Sequence, residues 1–411
     1  MDHTYSPQGT WTDRVSDRFR GGVRSGEMVW LAGQIDAGPH ADIRHPGDRA
    51  AQVAGAVTNL GAALEGLGCD LTDLVKLLCF YIDDGTGDAS VLAELASALP
   101  SDAHPAVSTV PVPYLAAPAA LVLVEGYAMR AEDGTRLART YAYAADLSPL
   151  PDRFASALRC GRMLFVSAQH PHADPVMGEL GIVAQTGEVM ARIGAALTAL
   201  GAGYDDVVKI NRWYLGHGKV EDFEPAALAC ASHFSEPGPA ATGIPVPRLP
   251  PGHAVRIEVV AMLDLDGSRL PRRHVWPESL WDWTVHLPYK HGLKCHDMIF
   301  LGGQVSLDKH GQALHPDDLP EQIAQAMVHI GTILGELGAG YDDICKLTTA
   351  YQGATDLEGL RTGLDARGSW LEAAQPATSD LALPVLAYPA MIVEIDAFAM
   401  ADPDPSDAPP Q

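Results

Sequence analysis

The hexapeptide VWLAGQ at Val29–Gln34 returns as LFVSAQ at Leu164–Gln169 and as IFLGGQ at Ile299–Gln304, each closing glutamine 135 residues after the one before. All three runs are apolar, rich in β-branched and aromatic residues, and closed by small ones, the pattern of a buried strand. Two further blocks repeat in the same order. One reads LEGLGCDLTDLVKL to Leu77, LTALGAGYDDVVKI to Ile210 and LGELGAGYDDICKL to Leu347. The other reads PAALVLVEGYAM to Met129, GHAVRIEVVAML to Leu263 and YPAMIVEIDAFAM to Met400. Three blocks in one order at one period make the chain three copies of a single unit.

Within each copy the period of the apolar residues changes. Val53, Val57, Leu60 and Leu64, and likewise Val189, Ile193, Leu197 and Leu200, recur at helical spacing. Gly68, Gly201 and Gly338 stand where a glycine would cap that helix. Asp70, Asp205 and Asp342 then precede an apolar run (LVKLLCFYI, VVKINRWYL, ICKLTTAYQ) that reads as a buried strand. A second helix follows, then Pro-rich chain and a final alternating strand. The expected unit is β-β-α-β-α-β, an α+β mixed sheet with two helices on one face, its bare face covered by sister units. The expected boundaries are 1–147, 148–275 and 276–400, with an acidic, Pro-rich disordered tail at 401–411. Asp133–Leu137 and Asp266–Leu270 match each other as turn-plus-strand endings, followed by linkers over Ser148–Arg153 and Pro271–Trp283.

Composition bounds the function. The chain is 47% hydrophobic and 19% charged, so it can bury real cores, and 52 acids against 28 Lys plus Arg leave a net charge of −24. That balance repels phosphate backbones and anionic lipid, so neither nucleic acid nor a membrane surface is an expected partner. The six cysteines are scattered singly, which fits a reduced, cytoplasmic setting better than disulfides or a zinc knuckle. No signal peptide is visible at the N-terminus. Pro105–Val124 carries no charge, but its four prolines speak for buried strands rather than a spanning helix.

The three blocks together resemble the RidA/YjgF family of reactive-intermediate (enamine/imine) deaminases. Pro288-Tyr289-Lys290-His291-Gly292 through Gly302-Gly303-Gln304 follows that family's first motif, and the DDVVK and EIEAIA-type blocks follow in each copy. The resemblance implies a chorismate-mutase-like unit, which the family assembles as a homotrimer with clefts between protomers. Three fused copies would then close into a pseudo-trimeric barrel within one chain, itself a monomer or a dimer. It also implies hydrolysis of the C=N bond of a small-molecule substrate without metal or organic cofactor. An Arg in a PARS motif would hold the substrate carboxylate, and a Glu in the last strand would position water.

The copies depart from that pattern. The Arg position is filled by Val107, Ala241 and Thr378, so an ordinary 2-imino acid is not the expected substrate. Arg20, Arg153 and Arg248 are candidate replacements. The Glu position reads as Glu125 in copy 1, Asp396 in copy 3 and lost as Val260 in copy 2. Two residues after the Arg position stand Thr109, Gly243 and Asp380. Glu125, Thr109, Asp380 and Asp396 are therefore the candidate catalytic residues, with two carboxylates in copy 3 able to split their pKa values for acid–base work. Arg20, Phe154, Tyr289, Lys290 and His291 join the three Arg-position residues as candidate substrate-binding groups. His170 and His172 offer too few ligands for a metal site, and Lys76, Lys209 and Lys346 read as solvated or ion-paired structural lysines. The expected activity is acid–base-assisted water addition or proton transfer at a C=N or amide-like group. A non-catalytic small-molecule binder and a ring-opening amide hydrolase are the alternatives.

Overall fold

A computed structural model gives the fold, and it describes residues 2–9, 11, 15–38, 42–143, 147–172 and 180–403. The expected disordered tail lies, from residue 404 on, outside the described residues. In the first unit a hairpin of β2 (Gly22–Ser25) and β3 (Met28–Gln34) leads to helix α1 (Arg49–Glu65), strand β4 (Leu74–Ile82), helix α2 (Gly87–Ala98), β5 (Ala106–Val112) and β6 (Val122–Met129). A short β1 (Thr4–Tyr5) edges this sheet, whose order is β1-β2-β3-β6-β4-β5. Strands β4 and β5 run parallel across the α2 crossover, and β6 inserts antiparallel between β3 and β4.

The other two units repeat this. The second has β8 (Ala157–Cys160), β9 (Met163–Gln169), α3 (Ile182–Ala199), β10 (Val207–Leu215), α4 (Val220–Ala231), β11 (Ala240–Val246) and β12 (Val255–Met262). The third has β14 (Gly292–Cys295), β15 (Met298–Leu301), β16 (Gln304–Val305), α5 (Leu319–Glu336), β17 (Ile344–Gln352), α6 (Leu357–Gly368), β18 (Ala377–Leu383) and β19 (Val393–Met400). Local chemistry sets the elements. Asp48 and Asp318 cap α1 and α5 by accepting from Ala51 N–H and Glu321 N–H. Before each central strand, Asp73, Asp206 and Asp343 accept the N–H of Asp70, Gly203 and Gly340 at 2.9, 2.9 and 2.8 Å, closing the turn that aims the strand.

The chain endings differ from the sequence reading. After the Asp133-Gly134 turn, β7 (Arg139–Ala142) pairs with β8, and β13 (Arg272–Val275) pairs with β14. The tail of one copy thus edges the sheet of the next, a place that β1 fills in the first copy, and so covers the backbone groups of the outer hairpin strand. The last strand of each unit is buried along its whole length instead of alternating. Both of its faces are covered: in the first sheet Val122, Val124 and Ala128 join the helix-side core, while Tyr127 and Met129 enter a core shared by all three units.

Each unit meets both of the others. Ala155 N–H donates to Pro105 O (3.0 Å), Lys290 N–H to Pro239 O (3.2 Å) and Arg20 N–H to Pro376 O (3.2 Å), so the seams run from copy 1 to 2, 2 to 3 and 3 to 1. The expected closure into a barrel is not what the strand pairing shows. Six, six and seven strands form three open sheets, joined at the seams by isolated parallel bridges. The reason is local, since only one residue on each side comes into register there. Among the described residues no helix is long and apolar enough to cross a membrane.

Candidate functional site

Each seam is pinned by a lysine buried at its centre. Lys76 Nζ lies 2.6 Å from Glu258, Lys209 Nζ 2.5 Å from Asp396, and Lys346 Nζ 2.8 Å from Glu125, every pair joining two copies. Each ammonium also donates to a hydroxyl of its own copy, Ser108 (3.2 Å), Thr242 (2.7 Å) or Ser379 (2.7 Å). The third block therefore aligns with Glu125, Glu258 and Asp396 at one position. Val260, read from sequence as the copy-2 equivalent, instead packs in the shared core. The true equivalent, Glu258, lies two residues earlier on the same strand and four before Met262, as Glu125 lies four before Met129 and Asp396 four before Met400. Burial works against these charges and pulls Lys209 and Lys346 below the usual lysine range.

Beside each lysine pair lies the position of the missing family arginine, and each seam brings a guanidinium to its neighbourhood from a different element. At the 3-to-1 seam it is Arg367 of α6, fully buried, bonded to Asp380 and Thr349, 3.2 Å from Thr378 Oγ1 and 5.4 Å over the Phe19 ring. The adjoining cavity, lined by Trp11, Gly33, Leu123, Thr378 and Asp380, holds about 20 Å³, room for one water. At the 1-to-2 seam Arg256 of β12 pairs with Asp88 at the start of α2 and bonds to Thr109. Tyr81 also donates to Asp88 (2.7 Å). Burial opposes the Asp88 charge, but Arg256, Tyr81 and Thr109 outweigh it and hold the carboxyl at about 2. His170 and His253 stack nearby at 4.7 Å, lowered by burial and by Arg256 to about 3 and about 4.

The 2-to-3 seam is different. Arg212 of β10 is 5% exposed and makes no ion pair among the described residues. Its guanidinium lies 5.1 Å over Phe223 and 5.5 Å over Tyr214, and its Nε has no hydrogen-bond partner. It occupies the space that a side chain at position 243 would take: a Cβ on Gly243 would stand 2.8 Å from Nη2. Glu394 of β19 lies on the facing copy, at the strand position held by Leu123 and Arg256 in the other seams. It is packed so closely on Gly303 that a Cβ there would stand 1.9 Å from Oε1. Burial, reinforced by Asp396, pushes the Glu394 carboxyl up to about 8. Glu394 separates two small cavities, one of about 30 Å³ shared with Arg212 and one of about 10 Å³ lined by Phe223, Trp281, Trp283 and Tyr388. The chain over residues 276–289 straps this seam. Trp283 stacks on Phe223 (5.6 Å), and Trp281 donates to Gln304 Oε1 (3.2 Å).

The candidate residues are accordingly dispersed. Asp380 and Asp396, both of copy 3, belong to different seams, where Arg367 and Lys209 neutralise them. Glu125 pairs with Lys346, and Thr109 supports Asp88 and Arg256. His291 is buried between Trp276 (3.8 Å) and Trp281 (4.9 Å) and lowered to about 3 by that burial, while Lys290 pairs with Glu236 (2.8 Å). Both hold the strap. Tyr289 is buried beside Arg212 and packs on Phe234. Phe154 and Val107 lie in the helix-side core of copy 1, Ala241 accepts from Gly303 N–H (3.2 Å), and Thr378 accepts from Arg367. The candidate arginines lie elsewhere: Arg20 bonds to Asp17 O and Phe19 O, Arg153 to Pro100 O, and Arg248 is exposed. His170 faces His253, and His172 bonds to Glu188, so the two histidines do not converge. Arg212, Arg256, Arg367, Asp88 and Glu394 escape a search confined to motif positions. The signal that finds three of them is a charge inside an otherwise apolar strand.

With this geometry in view, the chain can be compared with known proteins. The family profile described as Endoribonuclease L-PSP matches residues 13–130, 148–263 and 284–401. A RutC family protein of Pyrococcus horikoshii is 32% identical over 111 residues, 26% of this chain and 85% of that one. A mouse 2-iminobutanoate/2-iminopropanoate deaminase is 28% identical over 117 residues, 28% of this chain and 83% of that one. The crystal structure of a chorismatase superposes with a TM-score of 0.55 at 13% identity, covering 80% of this chain and 93% of that one, a likeness of fold.

Proposed function

Because this chain belongs, three times over, to the Endoribonuclease L-PSP (RidA/YjgF) family, we propose that it hydrolyses a small unsaturated carboxylate bearing a C=N group, at the 2-to-3 seam. One observation carries the reading: Arg212, buried and without an acid partner, shares a cavity with the Glu394 carboxyl. A guanidinium held this way is costly unless an anion completes it, and a planar fork suits a carboxylate. Glu394, protonated at neutral pH, donates to the imine nitrogen. Water adds to the carbon and gives a proton to the resulting Glu394 carboxylate, Glu394 passes that proton to the amine nitrogen, and it then takes the remaining hydroxyl proton as the adduct collapses to a carbonyl product and ammonia. Phe223, Trp281, Trp283 and Tyr388 favour a planar substrate, which enters when the strap over 276–289 lifts. A related member's name, the 2-iminobutanoate/2-iminopropanoate deaminase of mouse, belongs to the same substrate chemistry.

In this reading the other two seams are scaffold. Arg367 pairs with Asp380 and Arg256 with Asp88, so each of these guanidinium groups already has its counter-charge. The three sheets together act as one pseudo-trimeric assembly whose clefts have diverged. The test is deamination of a panel of imino and enamino carboxylates, aliphatic and aromatic, generated in situ. Wild-type protein should turn over an aromatic or extended member, and Arg212→Met and Glu394→Gln should each abolish most of that activity. Full activity in both variants would overturn the assignment, and ligand binding without turnover would favour a binding protein.

A further inference from the structure

Six of the 11 methionines gather at one end of the core shared by the three copies, and no seam uses them. Met28 opposes Met129 across β3 and β6, Met163 opposes Met262 across β9 and β12, and Met298 opposes Met400 across β15 and β19. Directly opposed residues of antiparallel strands carry side chains on one face, about 4.5–5.5 Å apart at Cβ. The three pairs line an open bowl of about 420 Å³. The same tight turn precedes each pair, with a positive φ at Gly26, Gly161 and His296 (53°, 55° and 55°). The pairs also lean on their neighbours: a Cβ at Gly26 would lie 3.9 Å from Met400 Cε, and one at Gly161 3.7 Å from Met129 Cε. Around the bowl stand Glu27, Glu132, Asp133 and Asp297. Among the described residues the cation lining it is Arg162, paired with Asp264 at 3.1 Å.

Methionine as plain filler does not account for this. Elsewhere in the same core the copies have exchanged apolar residues freely: Trp30, Phe165 and Phe300; Val23, Leu158 and Leu293; Tyr127, Val260 and Phe398. Volume-conserving swaps among Leu, Ile and Met cost little, yet both bowl positions hold Met in all three copies. What six leucines would lack is sulfur. Thioethers are soft, neutral donors that select monovalent copper over hard cations, and an acidic rim raises the local concentration of any cation. We propose that the six-methionine bowl binds one soft monovalent cation, Cu(I) or its analogue Ag(I), per chain. Cys160 and Cys295, cross-strand partners of Met163 and Met298, are not among the residues that line the bowl, so its sulfur donors are thioethers.

The test uses the full chain, titrated with Ag(I) by calorimetry and with Cu(I) anaerobically in competition with bicinchoninate. One ion per chain should bind. Met28→Leu/Met163→Leu/Met298→Leu should weaken binding at least tenfold without lowering the melting temperature appreciably, and Cys160→Ser/Cys295→Ser should bind as wild type does. If the triple variant does not fold, Met163→Leu alone should weaken binding severalfold, and Glu27→Gln/Asp297→Asn should do so more at low salt than at high. No binding by wild-type protein, unchanged binding in the leucine variants, or loss confined to the cysteine variant would each overturn the proposal.

Discussion

The 1-to-2 and 2-to-3 seams are built on one plan and reach opposite electrostatic states. In the first, Arg256 and Asp88 come from different copies and neutralise each other, and Tyr81 and Thr109 add further hydrogen bonds. In the second, Arg212 and Glu394 also come from different copies, but they form no ion pair and the carboxyl holds its proton to about pH 8. Fusing three copies lets one seam hold a cation that has no ion pair among the described residues, while its sisters hold the fold. A homotrimer would have to bear that cost at every interface.

The largest effect expected from this contrast is on turnover. Loss of a positioned general acid typically costs ~10²–10⁴-fold, so Glu394→Gln should lower kcat by that order while leaving the melting temperature equal or higher. Steady-state kinetics beside a thermal melt checks both halves. The two arginines should separate next, and on stability instead. Arg256→Met leaves the partly buried Asp88 without its counter-charge, though still bonded to Tyr81 and Thr109, at an expected cost of ~1.5–3 kcal/mol. Arg212→Met strands nothing and should change stability by no more than about 1 kcal/mol. Urea unfolding of the two variants side by side decides it, and equal losses would mean that Arg212 has a structural partner after all.

How much of this is legible in the sequence follows from where the partners sit. The strands and helices of each copy can be read because Val53, Val57, Leu60 and Leu64 lie within one helix and carry their own period. The seams cannot be read that way. Lys76 and Glu258 are 182 residues apart, and no local pattern links them. The motif position of the lost arginine is visible as Val107, Ala241 and Thr378. That other strands and a helix deliver the guanidinium is a property of the assembled seam. The edge strands β7 and β13 are missed for a similar reason, since their partners belong to the following copy.

The seams should also answer pH from opposite sides. Glu394 is raised from 4.5 to about 8 in the folded chain, so the folded state holds a proton that the unfolded state releases, and stability from this group falls as pH rises from about 5 to 8. Asp88 is lowered from 3.8 to about 2, so its contribution, of order ~2 kcal/mol, is complete above pH 4 and lost as pH falls toward 2. Melts across pH 2–9 should show both slopes. Glu394→Gln should flatten only the alkaline one, and its persistence in that variant would assign it to another group.

The smallest effect concerns the space beside the Arg212 guanidinium. Position 243 is glycine where the sister seams carry Thr109 and Asp380, and a Cβ there would come within 2.8 Å of Arg212 Nη2. Because the contact is to the far end of a flexible side chain, Gly243→Ala should displace the guanidinium by a few tenths of an ångström and leave the fold intact. If Arg212 holds the substrate carboxylate, the displacement appears as a severalfold rise in KM with kcat little changed, as expected when ground state and transition state lose the same contact. Gly243→Thr, which copies the 1-to-2 seam, should go further in the same direction. An unchanged KM in both variants would place the carboxylate away from Arg212, while Glu394 would keep its role as the acid.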